Sequence, residues 1–126
     1  MVEIEKEEIK TAATRELATS EAGVVVRIYI GSDNDTHKVH KAEAEEWAKV
    51  NLGSFSIYKY VKGYWYDTNE KKLYVENSIV IESIVTSADA LPEDSKMQEL
   101  RRITRQKEIL VSVIPNTIIK YDGAVE

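Results

Sequence analysis

The chain has no cysteine, so disulfides, thiol nucleophiles and cysteine-ligated zinc are excluded, and nothing in the composition points to an oxidising compartment. Positive charge is in short supply too: 17 Lys and Arg against 22 Asp and Glu leave a formal charge of −5 over 126 residues. An acidic surface is repelled by a long phosphate backbone and by anionic lipid, which argues against general nucleic-acid or membrane binding. A small anion held by a few arginines stays open. Long hydrophobic runs are missing as well. The longest, Val24 to Ile30, is interrupted by Arg27 and is far too short to span a bilayer core of roughly 30 Å. The opening Met1 to Lys10 is acidic where a secretory signal would be basic and then apolar, so a cytoplasmic protein is expected. No repeat or Pro/Gly/Ser-rich linker occurs, and the length suits one domain at roughly 100–200 residues each.

Catalytic motifs are also lacking. There is no Gly-x-Ser-x-Gly, phosphate loop or paired-glycine fingerprint, and the two histidines, His37 and His40, have no nucleophile as a partner. These absences predict a protein that is not an enzyme and needs no cofactor. Glu76 and Glu82 are the carboxylates that could act as acid and base, provided their sheet face is covered. Asp33, Asp35, His37 and His40 lack the Gly and twelfth-position Glu of a calcium loop, so they read as loop solvation and helix capping.

What is present is periodicity. Ile9, Ala13 and Leu17 recur every four residues and predict a helical extension over 1–22, its narrow apolar stripe ending near Gly23. Val24 to Ile30 alternates with a period of two and reads as a strand. Val39 to Leu52 reads as a helix capped by Asp35 or Thr36. Phe55 to Lys62 and Leu73 to Thr86 pair as an antiparallel hairpin turning around Asp67 to Glu70. Pro92 opens a second helix carrying Met97, Leu100, Ile103 and Thr104. Ile109 to Ile114 returns to strand, and Thr117 to Tyr121 adds a short last one. The order β-α-β-β-α-β over 23–126 is that of a ferredoxin-like α+β domain, an antiparallel sheet with both helices on one face.

The other face has no cover within the chain. Alternation turns Val26, Ile28, Phe55, Ile57, Val61, Ile79 and Ile81 toward the helices and leaves Arg27, Tyr29, Tyr58, Tyr60, Tyr74, Glu76 and Glu82 on the open side. Eight of the ten aromatics lie between Trp47 and Tyr74, three of them in Gly63-Tyr64-Trp65-Tyr66. They suit cross-strand packing at a homo-oligomer interface, or a platform on which a base stacks. Arg101, Arg102 and Arg105, three or four residues apart, lie on one helix face, either as a solvated face paired with Glu99 or Glu108 or as a phosphate site. The turn Ile114-Pro115-Asn116, with Arg27 adding charge, is a candidate second nucleotide site near a subunit contact.

Several short stretches resemble a known family. Tyr29-Ile30-Gly31, Asn34-Asp35-Thr36, Lys62-Gly63-Tyr64-Trp65, Val75-Glu76-Asn77 and Gln106-Lys107-Glu108-Ile109, spread over residues 24 to 116, resemble the phage anti-Thoeris proteins of the first described type. The acidic N-terminal segment lies outside that pattern, and Lys107 interrupts a Gln-Glu pair. The resemblance implies a non-catalytic sponge in the cytoplasm of an infected bacterial cell. It would sequester cyclic ADP-ribose isomers, with cyclic trinucleotides at a separate site formed by oligomerisation. It also implies a ligand set of an aromatic, an asparagine and arginines, for which Tyr64 or Trp65, Asn77, and Arg101 or Arg105 are the matching positions. A structural or adaptor protein using the tyrosine face, and a small-substrate enzyme, are the alternatives.

Overall fold

The structure, a computed structural model, describes residues 18–86 and 91–124. Its elements are β1 (Ala18–Ile30), α1 (Lys41–Asn51), β2 (Ser56–Asp67), β3 (Lys72–Val85), α2 (Asp94–Ile103) and β4 (Leu110–Tyr121). The strands form one antiparallel sheet in the order β2-β3-β1-β4, which is the ferredoxin-like α+β arrangement expected from the sequence. No helix among the described residues is long and apolar enough to cross a membrane.

The core follows the period-two pattern. Val26, Ile28 and Ile30 of β1 and Ile79 and Ile81 of β3 are buried against Ala44, Trp47, Ala48 and Leu52 from α1 and its end and Leu100 of α2. Each such aliphatic side chain contributes roughly 1.5–3 kcal/mol by leaving water. Trp47 also ties the helices together, because its indole N–H donates to the Lys96 carbonyl at 3.0 Å.

Four expectations change. A helix over 1–22 is incompatible with Ala18 to Ala22, which are strand: β1 continues back through them to pair with Thr117 to Tyr121, so the sheet crosses the boundary at 22/23. Residues 1–17, with Ile9, Ala13 and Leu17, lie outside the described residues. The turn at Ile114-Pro115-Asn116 is absent, since β4 runs straight through Pro115. Proline is tolerated there because β4 is an edge strand. Neither Asp35 nor Thr36 caps α1, which starts from His40 without a side-chain cap; their amides donate to Asp33 instead.

The fourth change concerns the faces of β2. Tyr58 opposes Val80, yet Val61 opposes Ser78, so Lys59 and Tyr60 together face a single β3 residue, Ile79. This β-bulge, with Tyr60 at φ 52°, reverses the alternation beyond it. Val61 therefore joins the open face, Trp65 lies beside Tyr74 on that face, and Tyr64 turns to the opposite face beside Val75. β1 ends its pairing at Ile30 with Ile79, while β2 and β3 continue to Asp67 and Lys72 as a two-stranded arm.

Candidate functional site: an acidic aromatic cleft

A cleft of about 620 Å³ opens where β1 stops and the arm continues. Ser32, Asp33, Asn34 and His37 line it from the loop between β1 and α1. Trp65, Asp67, Glu70, Tyr74, Val75, Glu76 and Asn77 line it from the arm, and Lys107 from the connection between α2 and β4.

The loop is organised by Asp33, whose side chain is 1% exposed. Its carboxylate accepts the backbone N–H groups of Asp35 at 2.9 Å and Thr36 at 2.5 Å, the Thr36 hydroxyl, and a contact from the His40 ring. The Thr36 bonds, first its hydroxyl and then its amide, hold the Asp33 carboxyl well below the usual carboxylate range. With its oxygens occupied, Asp33 is a structural anchor and is not free for a ligand. A backbone bond closes the loop: the Asp33 N–H donates to the Lys38 carbonyl at 2.9 Å.

Glu76 is the carboxylate placed to meet a ligand. Ser32 Oγ donates to its Oε2 at 2.7 Å, fixing one oxygen against the end of β1. Glycine at position 31 makes room, because a Cβ there would lie 3.0 Å from Glu76 Cδ. Beside it on the same sheet face stands an aromatic pair. The Trp65 and Tyr74 rings stack with centroids 4.5 Å apart and planes at 16°, and the Tyr74 hydroxyl donates to the Glu70 carboxylate. That bond raises the Tyr74 phenol above its ordinary value, so it stays a protonated donor. Trp65 keeps 43% of its surface exposed, leaving a face on which a base can stack. Besides the occupied Asp33, Asp67, Glu70 and Glu76 put three more carboxylates on the lining against Lys107 and His37, and no arginine is among the lining residues. Such a cleft attracts cations and repels a diphosphate.

No protein-family model and no curated protein matches the chain. Among solved structures it is similar to a phage SAM lyase in complex with S-methyl-5′-thioadenosine, at 20% identity over 82% of this chain and 93% of that one, with a TM-score of 0.53. A phage SAM lyase in the apo state gives 20% identity, 83% and 94% coverage and a TM-score of 0.49. A Bacillus subtilis GlnK–ATP complex gives 17% identity, 72% and 82% coverage and a TM-score of 0.44. At 20% identity the first likeness establishes the fold, shared with a phage protein. It also corrects the expectation, drawn from missing motifs, that the protein is not an enzyme, since the chain sharing this fold is a lyase. Motif scanning could not have seen this, because the hydrolytic signatures sought belong to other folds.

Of the residues matched to the ligand set, the cleft brings together Trp65 and Asn77. Tyr64 is on the other face of β2. Arg101 is engaged elsewhere, its Nε donating to Gln98 Oε1 at 2.7 Å and its Nη1 to the Gln106 carbonyl at 3.1 Å. Arg101 and Arg105 do not share a helix face: α2 ends at Ile103, and Arg105 sits at φ 54°, the left-handed residue that follows a helix end. In the second constellation, Arg27, Ile114 and Asn116 lie on the open face of adjacent strands while Pro115 faces the helix side. Arg27 Nε is already bonded to Glu82 at 2.9 Å, and Tyr58 OH reaches the same carboxylate at 3.3 Å. Sequence reasoning missed Ser32, Asp67, Glu70 and Lys107 as cleft residues. The available signal was a charged Glu76 beside Asn77 at the entry of an otherwise apolar strand, in the hairpin that carries Trp65, together with the Gly31-Ser32 pair that ends the first strand.

Proposed function

We propose that the protein is a small lyase acting on an adenosyl sulfonium compound of the S-adenosylmethionine class, bound in the acidic aromatic cleft. The observation that carries the reading is the pairing of a half-exposed Trp65 face with the carboxylates of Asp67, Glu70 and Glu76 and no arginine. An adenine stacks on Trp65, worth roughly 1–3 kcal/mol. The sulfonium and ammonium charges face the carboxylates, while Lys107 is the cation able to meet the substrate's own carboxylate. The fold shared with a lyase crystallised with S-methyl-5′-thioadenosine supports the reading.

Cleavage breaks a carbon–sulfur bond, and its electron pair moves to sulfur, turning the sulfonium into a neutral thioether. Carboxylates facing sulfur therefore favour the substrate over both transition state and product. They explain capture and release, whereas the rate comes from the conformation in which the cleft holds the amino-acid fragment. The cyclic ADP-ribose expectation finds no arginine pair in this cleft and is not carried forward. The phage setting common to the sequence resemblance and the fold neighbour supports action in the cytoplasm of an infected bacterial cell. The uncovered open face supports a homo-oligomer.

The test is to incubate the protein with S-adenosylmethionine and analyse the mixture by chromatography and mass spectrometry. Release of S-methyl-5′-thioadenosine is the expected result, reduced at limiting substrate in Glu76→Gln and Trp65→Ala, which weaken capture. Retention against authentic standards tells the lactone formed by ring closure, as its own carboxylate displaces sulfur, from the isomeric unsaturated amino acid formed by elimination. No turnover and no binding of either compound would overturn the reading.

A further inference from the structure

Gln106 uses its polar groups on three partners. Its side-chain amide donates to the Gly31 carbonyl at 3.0 Å and to the Thr104 carbonyl at 3.2 Å. Its backbone N–H donates to the Arg101 carbonyl at 2.9 Å, and its own carbonyl accepts Arg101 Nη1 at 3.1 Å. Gln106 and Arg101 are both half-buried, while Arg102, Arg105 and Lys107 around them are exposed. Helix packing does not require a glutamine here, because α2 has already ended, and Thr104 closes that end by donating to the Leu100 carbonyl at 2.7 Å.

The far end of this chain of bonds is the cleft. Gly31 is the residue against which the Glu76 carboxyl group lies, and the next residue, Ser32, donates to Glu76 Oε2 at 2.7 Å. The peptide joining Gly31 to Ser32 carries the carbonyl that Gln106 holds. Once β1 stops pairing with β3 at Ile30, no ladder bond fixes this peptide. Its orientation decides where the serine hydroxyl points, and the hydroxyl decides where one oxygen of Glu76 sits.

We infer that Gln106 is a positioning residue: by gripping the Gly31 carbonyl, with Arg101 bracing Gln106 from α2, it sets the Ser32–Glu76 pair that faces the cationic part of the ligand. Arg101 thus acts on the site from behind it, not as a phosphate ligand. The inference rests on the proposed function for its ligand, while the effect on Glu76 is independent of it.

Gln106→Met keeps the side chain's length and removes both side-chain donors. Two measurements test it, made on the full chain. The side-chain carboxyl resonance of Glu76 in ¹³C-labelled protein, without ligand, is expected to move in the variant. Calorimetric titration is expected to show about tenfold weaker binding of S-adenosylmethionine, the loss of one charge-assisted hydrogen bond's worth of placement, and less than about twofold for uncharged S-methyl-5′-thioadenosine. A purely structural role would instead weaken both ligands equally, or lower the melting temperature with the Glu76 resonance unmoved, and either result overturns the inference. If Gln106→Met does not fold, Arg101→Met, which removes the brace and an exposed bond to Gln98 and leaves the Gln106 side chain in place, is read by the same two measurements. If the unaltered protein binds neither ligand, the proposed function fails, and the Glu76 resonance alone decides whether Gln106 positions it.

Discussion

Replacing Gly31 by alanine tests the cleft with little disturbance elsewhere. No glycine among the described residues has a positive φ, so the backbone at Gly31 suits any residue and alanine brings no conformational strain. The atoms nearest the new methyl group belong to the Glu76 carboxyl, whose Cδ would lie 3.0 Å away with Oε1 nearer still. Ordinary contact needs roughly 3.5–4 Å, so Oε1, the nearest atom, has to withdraw by more than about 1 Å and takes the carboxyl group with it. The Ser32 Oγ–Glu76 Oε2 distance of 2.7 Å then passes the limit of a hydrogen bond. A hydrogen bond to a charged group is worth roughly 1.5–3 kcal/mol. Because Glu76 is half-exposed, the lower end applies, about 1.5 kcal/mol, or about tenfold in affinity. Titration calorimetry with S-adenosylmethionine should show that loss, with a melting temperature within a few degrees of the parent. A Gly31→Ala protein that binds S-adenosylmethionine as tightly as the parent would refute the reasoning, because the carboxylate it displaces would then have no part in binding.

Trp65→Ala should weaken both S-adenosylmethionine and S-methyl-5′-thioadenosine by roughly 1–3 kcal/mol in the same titration, whereas raising the salt concentration should weaken the charged compound more than the neutral one. Asp33→Asn should lower the melting temperature at pH 7. Since the folded-state carboxyl titrates below its unfolded value, its contribution is complete above about pH 4 and is lost as the pH falls through the lower folded value. The gap between variant and parent should therefore narrow in melts recorded below about pH 4, and a gap undiminished at about pH 2 would count against the Thr36 bonds as its source. Light scattering should give a mass above the 14.3 kDa monomer, because Tyr29, Tyr58, Ile84 and Ile114 stand on the open face with 40% or more of their surface exposed. Ile84→Lys should shift that mass toward the monomer, and a parent protein that is already monomeric would remove the basis for a subunit contact there.

The order of strands and helices could be read from spacing alone, because an apolar face must recur every second residue on a strand and every three or four on a helix whatever its partners. Val26, Ile28, Ile79 and Ile81 are buried for that reason, and the ferredoxin-like topology follows from the order of the elements. Local spacing does not carry the choices made by pairing. Residues Ala18 to Ala22 have helix-compatible composition but are strand, because β4 is long enough to pair with them. The face of Trp65 depends on one extra residue at Lys59-Tyr60, which inverts every position after it, and Arg105 is itself the left-handed residue beyond the end of α2, which takes it off the helix face of Arg101. The charge of the cleft is decided later still. Asp67, Glu70 and Glu76 meet Ser32 and Lys107 only because β1 stops short of the arm, a difference in strand length that exists in the assembled sheet and in no single segment.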